Sequence, residues 1–434
     1  MGPGYLTSAP SSPQMSLMST DANAVLTTPI PAEYVVTLTR GMTLLFAFAV
    51  SVMIVNLSAA QPLTAPIAHS LGIPPALSGL VATLPQLGYA LGMVFLVPLA
   101  DLTENRRLAV TTTFVCAVML VLAGLAPNAS VFLLAACVAG TTSCAIQVLV
   151  PLAASMAHPD RRGSAVGSVM SGLMLGILFS RPLASTVAGH FGWRSFYVLM
   201  GTLDALVAVV LLVKLPQRRP DFGHSYGVLI RSLWALWQRE RVLRRYAVSA
   251  AFVMAAFSAF WTGVAVLLVQ PPFALSANAA AAFALAGVAG TVVAPLAGRA
   301  GDKGYGVVGM RIAHVVLLAG ILLAGIAGAG WFGFDIRSHP FLALGLLVLA
   351  AITIDAGAVG DQTIGRRAVN MLMPEARSRL NGLFVGVFFV GGSVGAAGAG
   401  LAWAMAGWTG ICALCLGFVA LAFAGDVAAR TLRH

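Results

Sequence analysis

LAGRAGDKG, at residues 296–304, has a counterpart about two hundred residues earlier, VPLADLTENRR at residues 97–107. Each stretch carries an aspartate followed by basic residues, and each follows a long apolar run. HPDRRG at residues 158–163 and MPEARS at residues 373–378 form a second pair of the same kind. Paired loop sequences in two parts of one chain indicate an internal repeat.

The second pair of loops keeps its register over a longer stretch of sequence. One constant shift superposes four pairs of residues, His158 with Met373, Gln147 with Gln362, Gly192 with Gly407, and Trp193 with Trp408. A constant shift over several landmarks predicts two halves with the same architecture.

The composition places the chain in a membrane. Hydrophobic residues make up 59% of the 434 residues and charged residues only 9%, which excludes a soluble globular protein. Crossing a bilayer takes about 20 apolar residues in a helix, and a β-barrel would need short alternating strands instead. The sequence therefore predicts an all-α membrane protein with twelve transmembrane helices in two six-helix, pseudo-symmetric bundles. The predicted spans are 42–61, 77–100, 108–126, 131–154, 164–189, 195–213, 246–269, 276–298, 309–332, 341–364, 380–404 and 408–427.

The spans divide the chain into five regions. Residues 1–40 are rich in Ser, Thr, Pro and Ala without a long apolar run, which predicts a disordered tail with no cleavable signal. The two bundles are predicted at residues 41–213 and 246–428. A basic linker, residues 214–245, joins them, and residues 429–434 form a second tail.

The basic residues predict the orientation of the chain. With both termini cytoplasmic, 22 of the 25 basic residues fall in tails, linker and cytoplasmic loops or, for Arg311, at the cytoplasmic end of a span. The net charge of +11 is therefore interpreted as a topology signal, and no nucleic-acid partner is expected. Residues 226–238 could form an amphipathic helix with Leu229, Leu233, Leu236 and Trp237 facing lipid, or belong to a solvated tether.

No catalytic chemistry is evident in the sequence. All five cysteines lie in predicted helices, so no disulfide framework is expected. Cys412 and Cys415 have CxxC spacing, which we interpret as packing because no histidine or carboxylate stands near them. A nucleotide-binding loop is also absent. We therefore expect no metal, no cofactor and no enzymatic activity.

The paired loops resemble the signature of the major facilitator superfamily, roughly G-x-x-x-D-R/K-x-G-R-R. The second copy matches it at Gly298, Asp302, Lys303 and Gly304, and the degenerate first copy keeps Asp101, Arg106 and Arg107. Residues 167–197 and 373–403 are similar to the twelve-helix drug/proton antiporter branch, and more narrowly to bacterial sugar or arabinose efflux permeases. Arg181 and Pro182 stand where that branch carries Gly-Pro in its fifth helix.

We interpret the loop motif as a cytoplasmic latch between the two halves. An aspartate at a helix end can meet backbone amides and arginine side chains, and such contacts would hold the two halves in one state. The alternative is an interfacial charge cluster that only sets the topology.

The resemblance implies a secondary active transporter of the bacterial inner membrane. Its expected partners are a small organic solute, protons and membrane lipids, and we expect a monomer. Export of the solute in exchange for protons is the main expectation, and proton-coupled uptake of a small organic anion is the alternative. A non-transporting receptor or a lipid-modifying enzyme would normally add a signalling domain or a catalytic cluster, and neither is evident.

Ionisable residues inside the bilayer are costly and often functional. The resemblance implies that helices 1, 4, 7 and 10 line a central cavity, which makes Asp355 and Asp361 the candidates for carrying protons. Asp361 could instead belong to a structural salt bridge. Arg181 is a candidate for the cavity, where it could face a carboxylate or an anionic substrate, or it could pair with Asp204 on the next helix.

Several polar side chains in the predicted spans could complete a binding pocket for a hydrogen-bonding ligand. The candidates are Gln147, Gln362, Asn56, Gln61, Gln86, Tyr89 and Trp261. The alternative for any one of them is a hydrogen bond between neighbouring helices.

Overall fold

A computed structural model describes residue 2 and residues 38–158, 161–217, 225–373 and 376–431. Most of the predicted disordered tail therefore lies outside the described residues. The described residues form α-helices and short 3₁₀ turns, with no strand. The helices are α1 (Arg40–Ser58), α2 (Ala60–Ser70), α3 (Leu80–Phe95), α4 (Asn105–Gly124), α5 (Ala129–Thr142), α6 (Ile146–Met156), α7 (Arg162–Phe191), α8 (Trp193–Lys214), α9 (Tyr226–Arg239), α10 (Arg241–Val269), α11 (Ala277–Ala284), α12 (Ala289–Asp302), α13 (Gly306–Ala329), α14 (Pro340–Asn370) and α15 (Arg377–Thr431).

Eleven helical segments of the described chain are long and apolar enough to cross a membrane, which confirms the all-α membrane fold. The last segment, Arg377–Gly425, covers the predicted span 380–404 and most of the span 408–427. Its helical geometry breaks at Ala406 and Gly407. A Cβ placed on Gly398 would lie 3.0 Å from Leu414 Cδ2, so the chain folds back on itself after the break. This geometry is consistent with the twelve predicted spans.

Local sequence explains where several of these helices begin. The side chains of Thr39 and Asn128 cap α1 and α5, because each accepts a hydrogen bond from a backbone amide three residues further on. Ser276 caps α11 in the same way. Caps of this kind satisfy amides that have no partner inside the helix.

Three of the spans consist of two shorter helices. α1 and α2 meet at Ala59, α5 and α6 flank a 3₁₀ turn at Ser143–Ala145, and α11 and α12 flank another at Leu285–Val288. Irregular backbone at membrane depth is tolerated where it is buried in protein or lines a cavity. The three breaks therefore indicate that the middle of the bundle is enclosed by protein or lines a cavity.

Two equivalent close contacts bring out the symmetry of the halves. A Cβ on Gly176 of α7 would lie 2.5 Å from the Ser51 carbonyl oxygen of α1, and one on Gly391 of α15 would lie 2.0 Å from the Ala251 oxygen of α10. The shift that superposes the second pair of loops, His158 on Met373, also places Gly176 on Gly391. Small residues let membrane helices approach closely, so these glycines tighten each half internally.

The apolar core has three main parts. One is built only from the N-terminal half and includes Phe132, and a second is built only from the C-terminal half and includes Phe260. The third is shared, because it joins Phe46 of the first half to Phe384 of the second and takes in side chains of α9. We call the end of the bundle that carries α9 the linker end, and the opposite end the far end.

The halves also meet through polar contacts. On the α3–α15 contact, Thr83 Oγ1 donates to the Ser393 carbonyl oxygen at 3.2 Å. On the α7–α11 contact at the far end, His190 Nε2 lies 3.2 Å from Asn278 Oδ1.

The predicted amphipathic helix of the linker is α9, and it packs on both halves. Its Tyr226 hydroxyl donates to the Phe95 carbonyl oxygen of the first half at 2.9 Å, and Arg379 of the second half donates to its Ser232 hydroxyl at 3.1 Å. Leu233 and Leu236 are buried in the shared core, so the expectation that these two leucines face lipid is wrong. These two side chains instead cover apolar surface of both halves at this end of the bundle and so remove it from water.

Candidate functional site

Arg181 lies near the middle of α7 with only 5% of its surface exposed. Its Nε donates a hydrogen bond to Gln61 Oε1 on α2 at 3.0 Å. Its guanidinium carbon lies 4.2 Å from the ring centroid of Trp261 and 5.3 Å from that of Phe257, both on α10. Within the described chain, the two Nη nitrogens have no hydrogen-bond acceptor. The contacts join the two halves, since α2 and α7 belong to the first half and α10 to the second.

Asp355 on α14 also contacts Trp261. It is 5% exposed, and its Oδ1 accepts a hydrogen bond from Trp261 Nε1 at 3.1 Å. A Cβ placed on Gly287 would lie 3.4 Å from Asp355 Oδ2 and 3.5 Å from Arg181 Nη1. The carboxylate and the guanidinium therefore approach the same point and interact electrostatically, without a direct salt bridge between them.

Two cavities border this cluster. The first, which we call the far cavity, has a volume of about 370 Å³ and is lined by Arg181, Trp261 and apolar side chains such as Leu63 and Phe283. The second, the linker-side cavity, has a volume of about 540 Å³ and is lined by Asp355 and residues of α7, α12 and α14. The cluster of Arg181, Trp261 and Asp355 thus lies between two cavities at different depths. A residue set in this position can control passage from one to the other.

The charges around the two cavities are unequal. Among the described side chains that line the far cavity, one carries a charge, and it is Arg181. Arg366, Arg367 and Arg377 line the linker-side cavity together with Asp355. Four arginines and one aspartate give the combined lining an excess of positive charge, which attracts anions.

The predicted amides are divided between cavity and helix contacts. Gln362 lines the linker-side cavity. Its repeat partner Gln147 donates to the Tyr89 hydroxyl at 3.1 Å, within the first half. Gln86 Oε1 accepts from the Ser258 hydroxyl at 3.1 Å and so links the halves. The structure therefore does not bring all the predicted pocket residues to one cavity.

Asn56 lies inside the first half, away from the two cavities. Its Nδ2 donates to Asp204 Oδ2 at 2.7 Å, and Asp204 is fully buried. Asp204 is thus bonded to Asn56, whereas Arg181 is bonded to Gln61. The sequence left open an ion pair between Arg181 and Asp204, and the structure does not form it.

Asp361 faces the interior of the second half. Its Oδ1 lies 2.9 Å from His314 Nε2 of α13, and both side chains are fully buried. His314 Nε2 is also 3.4 Å from the Ser249 hydroxyl. Sequence reasoning did not select His314, although a histidine in the middle of an apolar helix is itself a sign of a buried polar partner.

The loop motif lies at the linker end. Asp101 ends a 3₁₀ turn, is partly buried, and interacts electrostatically with Arg379 of the other half. Arg107 lines a surface cavity together with Glu104, and Arg106 lies on the first turn of α4. Arg379 was missed by sequence reasoning because it lies outside both copies of the motif.

The second copy of the motif ends α12. Gly304 has a φ of +83°, which glycine adopts readily, and the Tyr305 amide bonds back to the Ala300 carbonyl oxygen at 3.0 Å. Lys303 is exposed, and Gly298 has open space around its Cα. Asp302 is the last residue of α12, and its side chain lies outside the described part of the chain.

The sequence of the chain matches the family model described as Major Facilitator Superfamily over residues 44–358. The chain belongs to the major facilitator superfamily. This superfamily member is 35% identical over 376 residues to the uncharacterised transporter YgaY of Escherichia coli (strain K12), covering 86% of this chain and 92% of YgaY. It is 33% identical over 372 residues to the transporter SCO4007 of Streptomyces coelicolor, covering 85% of this chain and 83% of SCO4007.

Solved structures share the fold of this superfamily member. A bacterial homologue of the human lysosomal transporter Spinster, in an inward-facing conformation, aligns with a TM-score of 0.70 and 17% identity, covering 90% of this chain and 96% of that one. The nucleoside transporter NupG aligns with a TM-score of 0.67 and 17% identity, covering 89% and 97%. The chain is therefore a multi-pass membrane protein of a transporter family.

Proposed function

We propose that this protein is a secondary active transporter of the bacterial inner membrane that couples the movement of a small organic solute to protons. Both termini and α9 are cytoplasmic in this proposal, so the linker end faces the cytoplasm. The unequal distribution of basic residues between the loops supports this orientation.

The observation that carries the proposal is the position of Asp355. A buried carboxylate between two cavities can take up a proton from one side and release it to the other when the halves rock. Its neighbours Trp261 and Arg181 belong to different halves, so the state of the carboxylate is linked to the contact between them. The latch contact of Asp101 with Arg379 would hold the linker end closed in one state.

Export in exchange for protons is the coupling mode that the drug/proton antiporter resemblance supports. Uptake together with protons is the second candidate, because positive charge predominates around both cavities. The two modes give opposite changes of internal pH when solute is added outside, so one measurement distinguishes them.

The test uses proteoliposomes that contain a pH-sensitive dye. Solutes of different charge are added to wild type, Asp355→Asn and Asp361→Asn. Solute-driven proton movement is expected in wild type and in the folded fraction of Asp361→Asn, because Asp361 faces His314 inside one half. Asp355→Asn is expected to lose it. Proton movement that survives in Asp355→Asn and is lost only in Asp361→Asn would assign the proton to the other carboxylate.

Solute movement without any pH change in the wild type would refute proton coupling altogether. Asp335→Asn is the control for a carboxylate in an exposed loop, and it is expected to behave as wild type.

A further inference from the structure

The guanidinium of Arg181 has unused donors inside the protein. Its Nε is bonded to Gln61, while its two Nη nitrogens have no acceptor within the described chain. A buried cation normally has an ion pair or a full set of hydrogen bonds, because its removal from water is costly. The two aromatic rings beside Arg181 offset part of that cost, but they accept no conventional hydrogen bond from the Nη groups. The two Nη nitrogens are therefore available as donors to an anion.

The far cavity provides room for such an anion and defines the rest of the ligand. Its volume of about 370 Å³ is at the lower end of the range for small-molecule sites. Apart from Arg181 and Ser185, the wall is formed largely by apolar side chains, including Leu63, Val264 and Phe283. A single cation in an apolar cavity matches a ligand with one negative charge and an apolar body.

The geometry of the Arg181 guanidinium further restricts the class of anion that can bind. A guanidinium binds a carboxylate through two parallel hydrogen bonds, and both Nη nitrogens are available here. A doubly charged phosphate would keep one uncompensated charge in the apolar cavity. We therefore propose that the far cavity binds an organic monocarboxylate with an apolar body, held by Arg181. This inference rests on the proposed function and names its substrate class.

The position of Asp355 adds a consequence for coupling. Arg181 and Asp355 approach the same point near Gly287, so each partly balances the charge of the other. A carboxylate ligand on Arg181 takes over that role and leaves the charge of Asp355 unbalanced. Binding of a proton to Asp355 removes the imbalance. For a monocarboxylate ligand, this favours movement of solute and proton in the same direction, which is the second of the two coupling modes proposed above.

The linker-side cavity supports the same charge preference. Three of the four charged residues that line it are arginines. Arg366 and Arg377 are held by hydrogen bonds to Asn381 Oδ1 and to the Asn370 carbonyl oxygen. An anion released from Arg181 towards the linker end would therefore enter a second region of positive potential.

The test is a binding measurement on the purified full-length protein in the absence of a proton gradient. Isothermal titration calorimetry compares 4-phenylbutyrate, 4-phenylbutanamide and 4-phenylbutylamine, which share one apolar body and differ in charge. The carboxylate is expected to bind roughly tenfold or more tightly than the amide and the amine. Equal binding of the three probes, or binding of none of them to wild type, overturns the proposal.

Variants locate the site. Gln61→Glu places a carboxylate at the atom that already lies 3.0 Å from Arg181 Nε, so it neutralises the charge of the guanidinium while keeping the shape of the side chain. It is expected to weaken 4-phenylbutyrate binding at least tenfold, as is Arg181→Gln. Arg337→Gln is the matched control, because Arg337 is exposed in a far-end loop. Wild-type affinity in folded Gln61→Glu overturns the assignment to Arg181.

Proteoliposomes separate this inference from the proposed function. Uptake of 4-phenylbutyrate with internal acidification, above the rate in protein-free liposomes, supports both. Carboxylate binding without proton movement keeps the anion site and refutes proton coupling. Proton movement driven by the amine, with no carboxylate binding, keeps the proposed function and overturns the anion site.

Discussion

Gly79→Ala is expected to shift the conformational equilibrium of the protein towards a state with an open far end. Gly79 precedes α3, at the far end of the contact between α3 and α15. A Cβ at this position would lie 2.1 Å from the Ala396 carbonyl oxygen, whereas ordinary contacts begin at about 3.4 Å. The two helices must therefore separate by about 1 Å at this point, and the atom in the way belongs to backbone and cannot rotate aside.

The size of the shift follows from the cost of overpacking. One methyl group forced into a close-packed contact costs about 1–3 kcal/mol. The cost falls only on the state in which the far end is closed. It therefore shifts the ratio of open to closed molecules by about 5- to 150-fold.

The assay is the distribution of distances between two spin labels, measured by double electron–electron resonance. One pair is placed at the far end on Leu77 and Met405, which are exposed and belong to different halves. A second pair is placed at the linker end on Thr103 and Ser378, which are also exposed. In Gly79→Ala, the far-end distance is expected to lengthen and the linker-end distance to shorten or stay unchanged.

Gly382→Ala is the matched control. It makes the same substitution on the same helix pair at the linker end, but its Cβ would lie 3.6 Å from the Met93 carbonyl oxygen, an ordinary contact. The reasoning fails if Gly79→Ala gives the same distance distribution as Gly382→Ala. It also fails if both label pairs lengthen together, since that would indicate loosening and not a shift between two states.

Two further predictions concern packing and coupling. Gly391→Ala would put a Cβ 2.0 Å from the Ala251 carbonyl oxygen inside one half, so it is expected to lower the free energy of unfolding by about 1–3 kcal/mol. Thermal denaturation in detergent measures this loss against the control Gly417→Ala, whose Cβ meets nothing within 4 Å. Equal stability of the two variants would contradict the prediction. Trp261→Phe removes the N–H that Asp355 accepts at 3.1 Å and keeps an aromatic ring beside Arg181. A hydrogen bond to a charged group contributes about 1.5–3 kcal/mol, so we expect the rate of solute-driven proton movement to fall about tenfold. The affinity for 4-phenylbutyrate, measured by calorimetry, is expected to change less than about threefold. A parallel loss of both would argue against separate roles for the ring and its N–H.

The apolar runs were sufficient to predict the membrane helices, because a helix that crosses lipid must satisfy its own backbone and present apolar side chains. The break at Ala406 and Gly407 lies where the sequence places the boundary between the last two spans. The internal breaks of the first, fourth and eighth spans were not predicted. A continuous run of apolar residues does not mark the position of such a break.

The candidate site was predictable in part. Arg181 and Asp355 stand out in the sequence because charge inside an apolar span is rare, and the structure places both beside Trp261. Asp361 stands out equally by the same criterion, yet it faces His314 inside one half. Asn56 likewise faces Asp204 and not a cavity. The sequence shows that a polar group is buried, but not which neighbour satisfies it.

By itself, the sequence determined that the chain crosses a membrane many times, that its halves are related by an internal repeat, and that few charges lie inside the lipid. Composition and spacing are properties of the sequence itself, so they can be evaluated without knowing the tertiary contacts. Only the tertiary structure decided that Arg181, Gln61, Trp261 and Asp355 meet between two cavities while Asp204 and Asp361 are enclosed within the halves. The rotation of each helix about its axis makes that choice, and close packing against the neighbouring helices determines the rotation.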